Sequence, residues 1–176
     1  MANLPRYSGS DERVTAPVLG AAIVSPWGIF LDTDKGLGWG YDGGGASFSA
    51  YIGASGSRKD ESKSGRPGSK RLKGMGEIKT RAQVGVSGSY NLGGVIIGAT
   101  LEHALEEDDH KDSGKAFTHL ELSLGTNLYD GDYGSLDASL SSHFGDSNYM
   151  QTWYGVTTGQ AAQSRFKAYK ASGGKI

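Results

Sequence analysis

The sequence predicts an all-β fold, an antiparallel up-and-down transmembrane β-barrel. Apolar and polar side chains alternate with a period of two over residues 77–106, interrupted only by a turn at residues 91–94. A β-strand points successive side chains to opposite faces, so this stretch forms one apolar face and one polar face. Each of the two runs exceeds ten residues, whereas strands of soluble sheets usually have about five or six. A tilted strand needs about 9–11 residues to cross a bilayer.

Composition agrees with one domain and excludes several functions. The 176 residues are expected to form a single β-barrel domain over residues 1–176. The chain has 18 basic and 19 acidic residues, so its charge indicates no nucleic-acid partner. It contains no run of 18 apolar residues that could form a spanning helix, and no cysteine for a disulfide framework or a thiolate metal site. The start of the chain has no basic segment followed by an apolar core, so the barrel interpretation requires a mature form.

The alternation predicts about eight strands, three of them short or doubtful. They lie near residues 13–24, 27–31, 37–41, 48–54, 77–90, 95–105, 116–128 and 135–144. After residue 145 the alternation stops, and Thr157 or Thr158 is expected to cap a short helix through residues 160–164.

The connections between the later strands alternate in kind. Long polar loops at residues 57–76 and 106–114 are separated by short turns at 91–94 and 129–132. Outer-membrane barrels have long loops on the outside and short turns facing the periplasm. Aromatic residues also fall near the strand ends, as in an interfacial girdle, although such residues favour strands in any case. They are Trp27, Trp39, Tyr41, Tyr90, Tyr129 and Tyr133.

Several charged residues have the parity of the predicted barrel interior. They are Lys79, Arg81, Glu102, His119, Glu121, Asp137 and His143. One interpretation is a charged pore lining that sets solute selectivity. The other is a filled interior in which these side chains pair with one another, and we favour it because small barrels are filled by side chains.

The sequence predicts neither an enzyme nor a cofactor or metal site. Asp137 and His143 lie six residues apart on one strand, which is roughly 20 Å at the rise of a strand. No nucleophile motif of the G-x-S-x-G type occurs. The acidic run at residues 106–109 lacks the spacing of a calcium-binding loop.

Two segments are candidates for contact with lipid or with a partner. The first is the basic loop, whose cations would suit the phosphates of lipopolysaccharide, or would merely keep the loop soluble. Its residues include Arg58, Lys59, Lys63, Arg66, Lys70, Arg71 and Lys73. The second is an aromatic segment with Tyr149, Trp153 and Tyr154. Exposed aromatic residues often anchor interfaces, but the segment could equally fold into the barrel mouth as a plug.

Three segments resemble one protein family. They are PRYSGSDE at residues 5–12, GLGWGY at 36–41 and, most specifically, YMQTWYGVT at 149–157, which is followed by Ala161, Ala162 and Ser164. Together they are similar to the MipA/OmpV family of Gram-negative outer-membrane proteins. The basic loop and residues 71–78 also fit the long loop of that family.

The resemblance implies a non-enzymatic protein of the Gram-negative outer membrane. The expected function is a scaffold that brings a murein hydrolase together with a murein synthase, in contact with outer-membrane lipid and lipopolysaccharide. A porin-like channel for small solutes or a surface adhesin is the alternative, and a soluble ligand-binding barrel is a third. The family barrel would have roughly twelve strands, so the chain is expected to be incomplete at both ends relative to the family.

Overall fold

The computed structural model describes residues 2–5, 13–16, 20–58, 70–107, 114–132 and 134–176. Somewhat more than half of these residues lie in strands. Strands β1 (Ala2–Pro5) and β2 (Arg13–Ala16) pair with each other. The main sheet contains β3 (Ala22–Val24), β4 (Ile29–Asp32), β5 (Gly36–Gly43), β6 (Ala46–Ala54), β7 (Ala82–Leu92), β8 (Val95–Ala104), β9 (Phe117–Gly131), β10 (Gly134–Gly145) and β11 (Gly174–Lys175). Helices α1 (Ser147–Tyr154) and α2 (Thr158–Gln163) and a 3₁₀ helix (Lys70–Leu72) complete the fold.

The main sheet is an antiparallel meander of nine strands, in which the spatial order follows the chain from β3 to β11. Each strand from β3 to β10 pairs with its neighbours in sequence. The predicted all-β, up-and-down fold is therefore confirmed. Among the described residues the sheet is not closed, and β3 and β10–β11 form its two edges.

The two faces of the sheet differ in polarity as the alternation predicts. One row of paired residues on the outer face consists of Tyr90, Ile97, Leu124 and Leu140 on β7 to β10, and all four are exposed. The outer residues Leu140 and Ile52 are 68% and 65% exposed. On the inner face, β6 and β7 carry paired serines. Ser47 pairs with Ser89 and Ser49 with Ser87, each through hydroxyl oxygens 2.7 Å apart.

The two ends of the sheet also differ. At one end, which we call the short-turn end, brief turns connect β3 to β4, β5 to β6, β7 to β8 and β9 to β10. The turn after β7 uses Gly93 and Gly94, whose φ angles of 63° and 103° favour glycine. At the opposite end, the long-loop end, lie the described parts of the connections at residues 55–81 and 105–116 and the two helices that follow β10.

The buried apolar residues of the described chain gather at the long-loop end rather than along the sheet. Leu72, Met75 and Ile78 come from the 55–81 connection and Phe117 from the start of β9, and Ile78 is only 2% exposed. The compact part of the molecule is therefore a cap over one end of the sheet.

Three parts of the structure differ from what the alternation predicts. The long strand expected from residue 77 begins only at Ala82. Before it, Gly74 and Gly76 have positive φ angles and Ile78 forms an isolated bridge with Arg58, which turns this segment into the cap. The strand expected at residues 13–24 is divided into β2 and β3, and residues 17–19 between them lie outside the described residues, as does Tyr133. The predicted helix near residue 160 is confirmed as α2, with Thr157 as its N-cap, whereas α1 was not predicted.

Candidate functional site

One row of paired residues crosses the inner face close to the long-loop end. Strand register aligns Tyr51 on β6 with Gly85 on β7, Glu102 on β8, His119 on β9 and Gly145 on β10. We call these five residues the inner row. Because each member has the inward parity of its strand, side chains on neighbouring strands can reach one another across the face.

Two glycines of the inner row make room for aromatic rings. A methyl group added at Gly85 would overlap the ring of Tyr51, and one added at Gly145 would overlap the ring of Tyr149, which comes from α1. Tyr51 therefore lies across β7 instead of beside it, and Tyr149 lies on the end of β10. The missing side chains thus allow both rings to pack flat on the sheet.

A chain of polar contacts runs along the inner row and continues to His143 and Ser141 on β10. The Tyr51 hydroxyl donates to Glu102 Oε1 at 2.8 Å, and Glu102 Oε2 lies 3.8 Å from His119 Nδ1. His119 Nε2 lies 3.2 Å from His143 Nδ1, and His143 Nε2 lies 3.1 Å from the Ser141 hydroxyl. Among the described residues, no group of three or more histidine, cysteine or carboxylate side chains is arranged to hold a metal ion.

Helix α1 packs on the inner row from the long-loop end. Its N-cap Asp146 accepts a hydrogen bond from the Tyr149 backbone N–H at 2.7 Å and another from the Thr118 N–H at 2.8 Å. The cap therefore attaches the helix to β9 as well as starting it. The Tyr149 ring stacks on His119 at 5.0 Å between centroids and meets the edge of Phe117 at 5.4 Å. Burial raises the pKa of the Tyr149 phenol to about 12, with smaller contributions from Tyr154 and Glu102.

A cavity of about 440 Å³ lies beside α1. Its wall is mostly aromatic and aliphatic, with two arginines: Ser57, Arg58, Leu72, Met75, Tyr149, Trp153, Tyr154, Gly155, Val156, Arg165 and Phe166. Arg58 donates to the Trp153 carbonyl at 2.7 Å, and Gln160 of α2 donates to the Met75 carbonyl at 2.6 Å. These two bonds connect the helical segment to the 55–81 connection.

Four of the seven inward candidates named from the sequence lie together on the inner face. Glu102, His119 and His143 belong to the polar chain, and Glu121 is paired in register with His143. Arg81 is 2% exposed; it donates to the Lys115 carbonyl at 2.7 Å, and its guanidinium lies 5.3 Å from the centre of the Phe117 ring.

The other two inward candidates lie apart from this group. Lys79 is exposed and precedes β7. Asp137 is exposed near the short-turn end of β10, where it accepts a hydrogen bond from the Asn127 amide at 2.9 Å. Asp137 and His143 are therefore far apart along β10 and lie in different parts of the sheet.

The candidates from the basic loop and the aromatic segment meet only in part. Arg58, Tyr149, Trp153 and Tyr154 all line the cavity. Lys70 and Arg71 belong to the 3₁₀ helix and Lys73 follows it as an exposed residue. Lys59, Lys63 and Arg66 lie outside the described residues, as do residues 108–110 of the acidic run.

Sequence reasoning missed several residues of the site, among them Tyr51, Gln160 and Arg165. Tyr51 has inward parity in a strand whose apolar residues have the other parity, and this was a usable signal. Arg165 and Gln160 carried no signal, because only the folding of the helices over the sheet end brings them to the cavity.

These observations define a class of protein: an antiparallel meander with an exposed apolar outer face and a polar inner face covered at one end by a helix. The described chain has no helix with the length and apolarity needed to span a membrane. The chain belongs to the family of the MltA-interacting protein MipA, whose family model matches residues 1–175. No curated protein and no solved structure matches it.

Proposed function

We propose that this protein is a non-catalytic β-barrel protein of the bacterial outer membrane that serves as a scaffold for enzymes acting on murein. The observation that carries the proposal is the outer face of strands β4 to β10. Large apolar side chains on this face are exposed from one end of the sheet to the other, for example Leu31, Trp39, Ile52, Val86, Leu101, Leu122 and Leu136. A surface of this kind is unstable in water and is suited to lipid.

Strand length supports a membrane location. Strands β7, β8, β9 and β10 contain 11, 10, 15 and 12 residues, and a tilted strand needs about 9–11 residues to cross a bilayer. With the topology usual for such proteins, the short-turn end faces the periplasm and the long-loop end faces outward. Among the connections of the described main sheet, the periplasmic surface available to a murein enzyme then includes the four short turns.

The covered inner face favours a scaffold over a channel. Helix α1 packs against β9 and β10, and the side chains of the inner row occupy the wall beneath it. The family description, an MltA-interacting protein, supports a murein enzyme as the partner. In this proposal, the protein holds an MltA-type enzyme at the membrane and does not transport solute.

Binding to refolded protein tests the scaffold function. The chain would be refolded into lipid vesicles and incubated with purified MltA-type enzyme, and the vesicles then floated through a density gradient. We expect the enzyme to float with vesicles that contain the protein and to stay at the bottom with empty vesicles. Equal distribution of the enzyme in both samples would refute the scaffold.

A channel for small solutes is the second candidate, and one observation favours it. Toward the short-turn end the inner face is lined by small polar side chains, among them Ser47, Ser49, Ser87, Ser89 and Thr100. Planar-bilayer recordings separate the two candidates. The scaffold predicts no steady current, and a current that scales with salt concentration would favour the channel.

A further inference from the structure

The cavity beside α1 has the chemical character of a small-molecule site. Four aromatic side chains line it, and those of Tyr149 and Trp153 are tilted by 38° with centroids 6.2 Å apart. Leu72, Met75 and Val156 add aliphatic surface. Ligand sites in proteins usually have volumes of about 300–1,000 Å³ and are mainly apolar with a few polar groups, and this cavity of about 440 Å³ lies in that range.

The charged side chains in the described lining of the cavity all have one sign. Its described lining contains Arg58 and Arg165 and no acidic residue. Arg58 is held at the wall by its bond to the Trp153 carbonyl. Arg165 is exposed at the rim, with its guanidinium 5.3 Å from the centre of the Phe166 ring, and no carboxylate of the described chain forms an ion pair with it. An arginine in this position can bind a carboxylate with two parallel hydrogen bonds.

The remaining polar groups of the wall limit the kind of ligand. Apart from the tyrosine hydroxyls, the uncharged side chains of the described lining that form ordinary hydrogen bonds are Ser57 and Trp153, through its indole N–H. A sugar would leave many of its hydroxyl groups unpaired in such a site, which costs affinity. A flat apolar body would instead pack on the ring faces of Tyr149 and Trp153.

We propose that this cavity binds a small organic anion with a flat apolar body, an aromatic carboxylate being the simplest example. The ring would lie among the side chains of Tyr149, Trp153 and Phe166, and the carboxylate would accept hydrogen bonds from Arg165 at the rim. This site goes beyond the scaffold function and does not depend on it, because it is built entirely from the cap at the long-loop end.

A fluorinated probe tests the site. The protein would be refolded into nanodiscs of zwitterionic lipid and titrated with 4-(trifluoromethyl)benzoate, with binding followed by fluorine NMR line broadening. We expect saturable binding that Arg165→Gln weakens by about tenfold or more, the effect of losing a charge-assisted hydrogen bond. Lys167→Gln is the matched control, because Lys167 is an exposed cation two residues away that does not line the cavity. Ser57→Trp, which places a bulky ring into the cavity, should abolish binding.

Two further ligands distinguish the parts of the proposal. The uncharged 4-(trifluoromethyl)benzamide should bind at least several-fold more weakly than the benzoate, and decanoate should compete poorly because its body is not flat. Equal binding of benzoate and benzamide, or equal affinity in the Arg165→Gln and Lys167→Gln variants, would refute an anion site. Strong competition by decanoate would refute the flat body, and the same broadening with empty nanodiscs would show partitioning into lipid alone.

Discussion

The phenol of Tyr51 on β6 donates a 2.8 Å hydrogen bond to the carboxylate of Glu102 on β8, passing over the strand that lies between them. This contact exists because the residue between the two is Gly85, paired in register with both. A side chain at that position would occupy the space of the tyrosine ring. Three strands are therefore joined by one bond on the inner face.

Replacement of Gly85 by alanine should destabilise the protein. The new methyl group meets the Tyr51 ring, and overpacking of this kind typically costs about 1–3 kcal/mol. Urea unfolding in lipid vesicles, followed by tryptophan fluorescence, measures the loss. Gly88→Ala on the same strand is the control, because its nearest contact would be the Ser47 carbonyl oxygen at an ordinary 3.6 Å. Equal stability of the two variants would contradict the packing described here.

Removal of the Tyr51 hydroxyl should also lower stability, by a separate mechanism. Tyr51→Phe keeps the ring over Gly85 but takes away the donor to Glu102, and hydrogen bonds to charged groups contribute about 1.5–3 kcal/mol. The same unfolding assay applies. Tyr41→Phe, at a 56% exposed tyrosine of the outer face, should change stability much less, and a comparable loss in both variants would count against the bond.

Asp146→Ala should loosen helix α1 from the sheet. The carboxylate accepts from the backbone of Tyr149 and of Thr118, and loss of an N-cap alone costs about 0.5–2 kcal/mol. Hydrogen exchange followed by mass spectrometry should show faster exchange in residues 147–154. Asp146→Asn keeps one acceptor oxygen and should have an intermediate effect. Unchanged exchange in the alanine variant would mean that α1 is held by its aromatic contacts alone.

Tyr149 should make the stability of the protein depend on pH in the alkaline range. Because burial raises the pKa of its phenol to about 12, the folded state keeps a proton that the unfolded chain releases near pH 10. The contribution is thus fully present below about pH 10 and is lost as pH rises toward about 12. Urea unfolding at several pH values checks this: the decline should be smaller in Tyr149→Phe than in the wild type. Parallel pH curves for the two proteins would contradict the prediction.

A charge on the outer face should impair insertion into lipid if the proposed membrane location is right. Leu124 lies in the apolar row between Ile97 and Leu140, and an arginine facing lipid near the midplane costs about 2–4 kcal/mol. Leu124→Arg should therefore reduce the fraction of protein that refolds into vesicles, as judged by migration of unheated samples in gels. Ser123→Arg, on the inner face, is the neighbouring control and should refold much better. Equal yields would argue against lipid on this face.

The alternation of side chains predicted the sheet but not the cap. The parity of residues such as Val84, Val86 and Leu124 predicts the face on which they lie, because successive side chains of a strand point to opposite faces. Helix α1 has no comparable repeat, since its aromatic residues face both the sheet and the cavity. Asp146 is a residue type that favours N-caps. It was not recognised as a cap because it directly follows the alternating residues of β10, which ends at Gly145.

The polar chain of the inner face could be predicted only in part. Parity assigned Glu102, His119 and His143 to one face, but it could not align them with Tyr51. That alignment depends on strand register across the 55–81 and 105–116 connections, whose lengths leave the register open. The cavity could not be predicted from the sequence, because its two arginines are 107 residues apart (165 − 58) and are brought together only by the cap.

The neighbour-to-neighbour pairing of the meander has a consequence for the order in which the protein forms. Every strand from β4 to β10 pairs with the strand just before it in the chain, so each hairpin can add to the growing sheet without waiting for a distant partner. The docking surface of α1, in contrast, exists only after β9 and β10 have aligned His119 beside Gly145. We therefore expect α1 to cover the long-loop end only after β9 and β10 have paired.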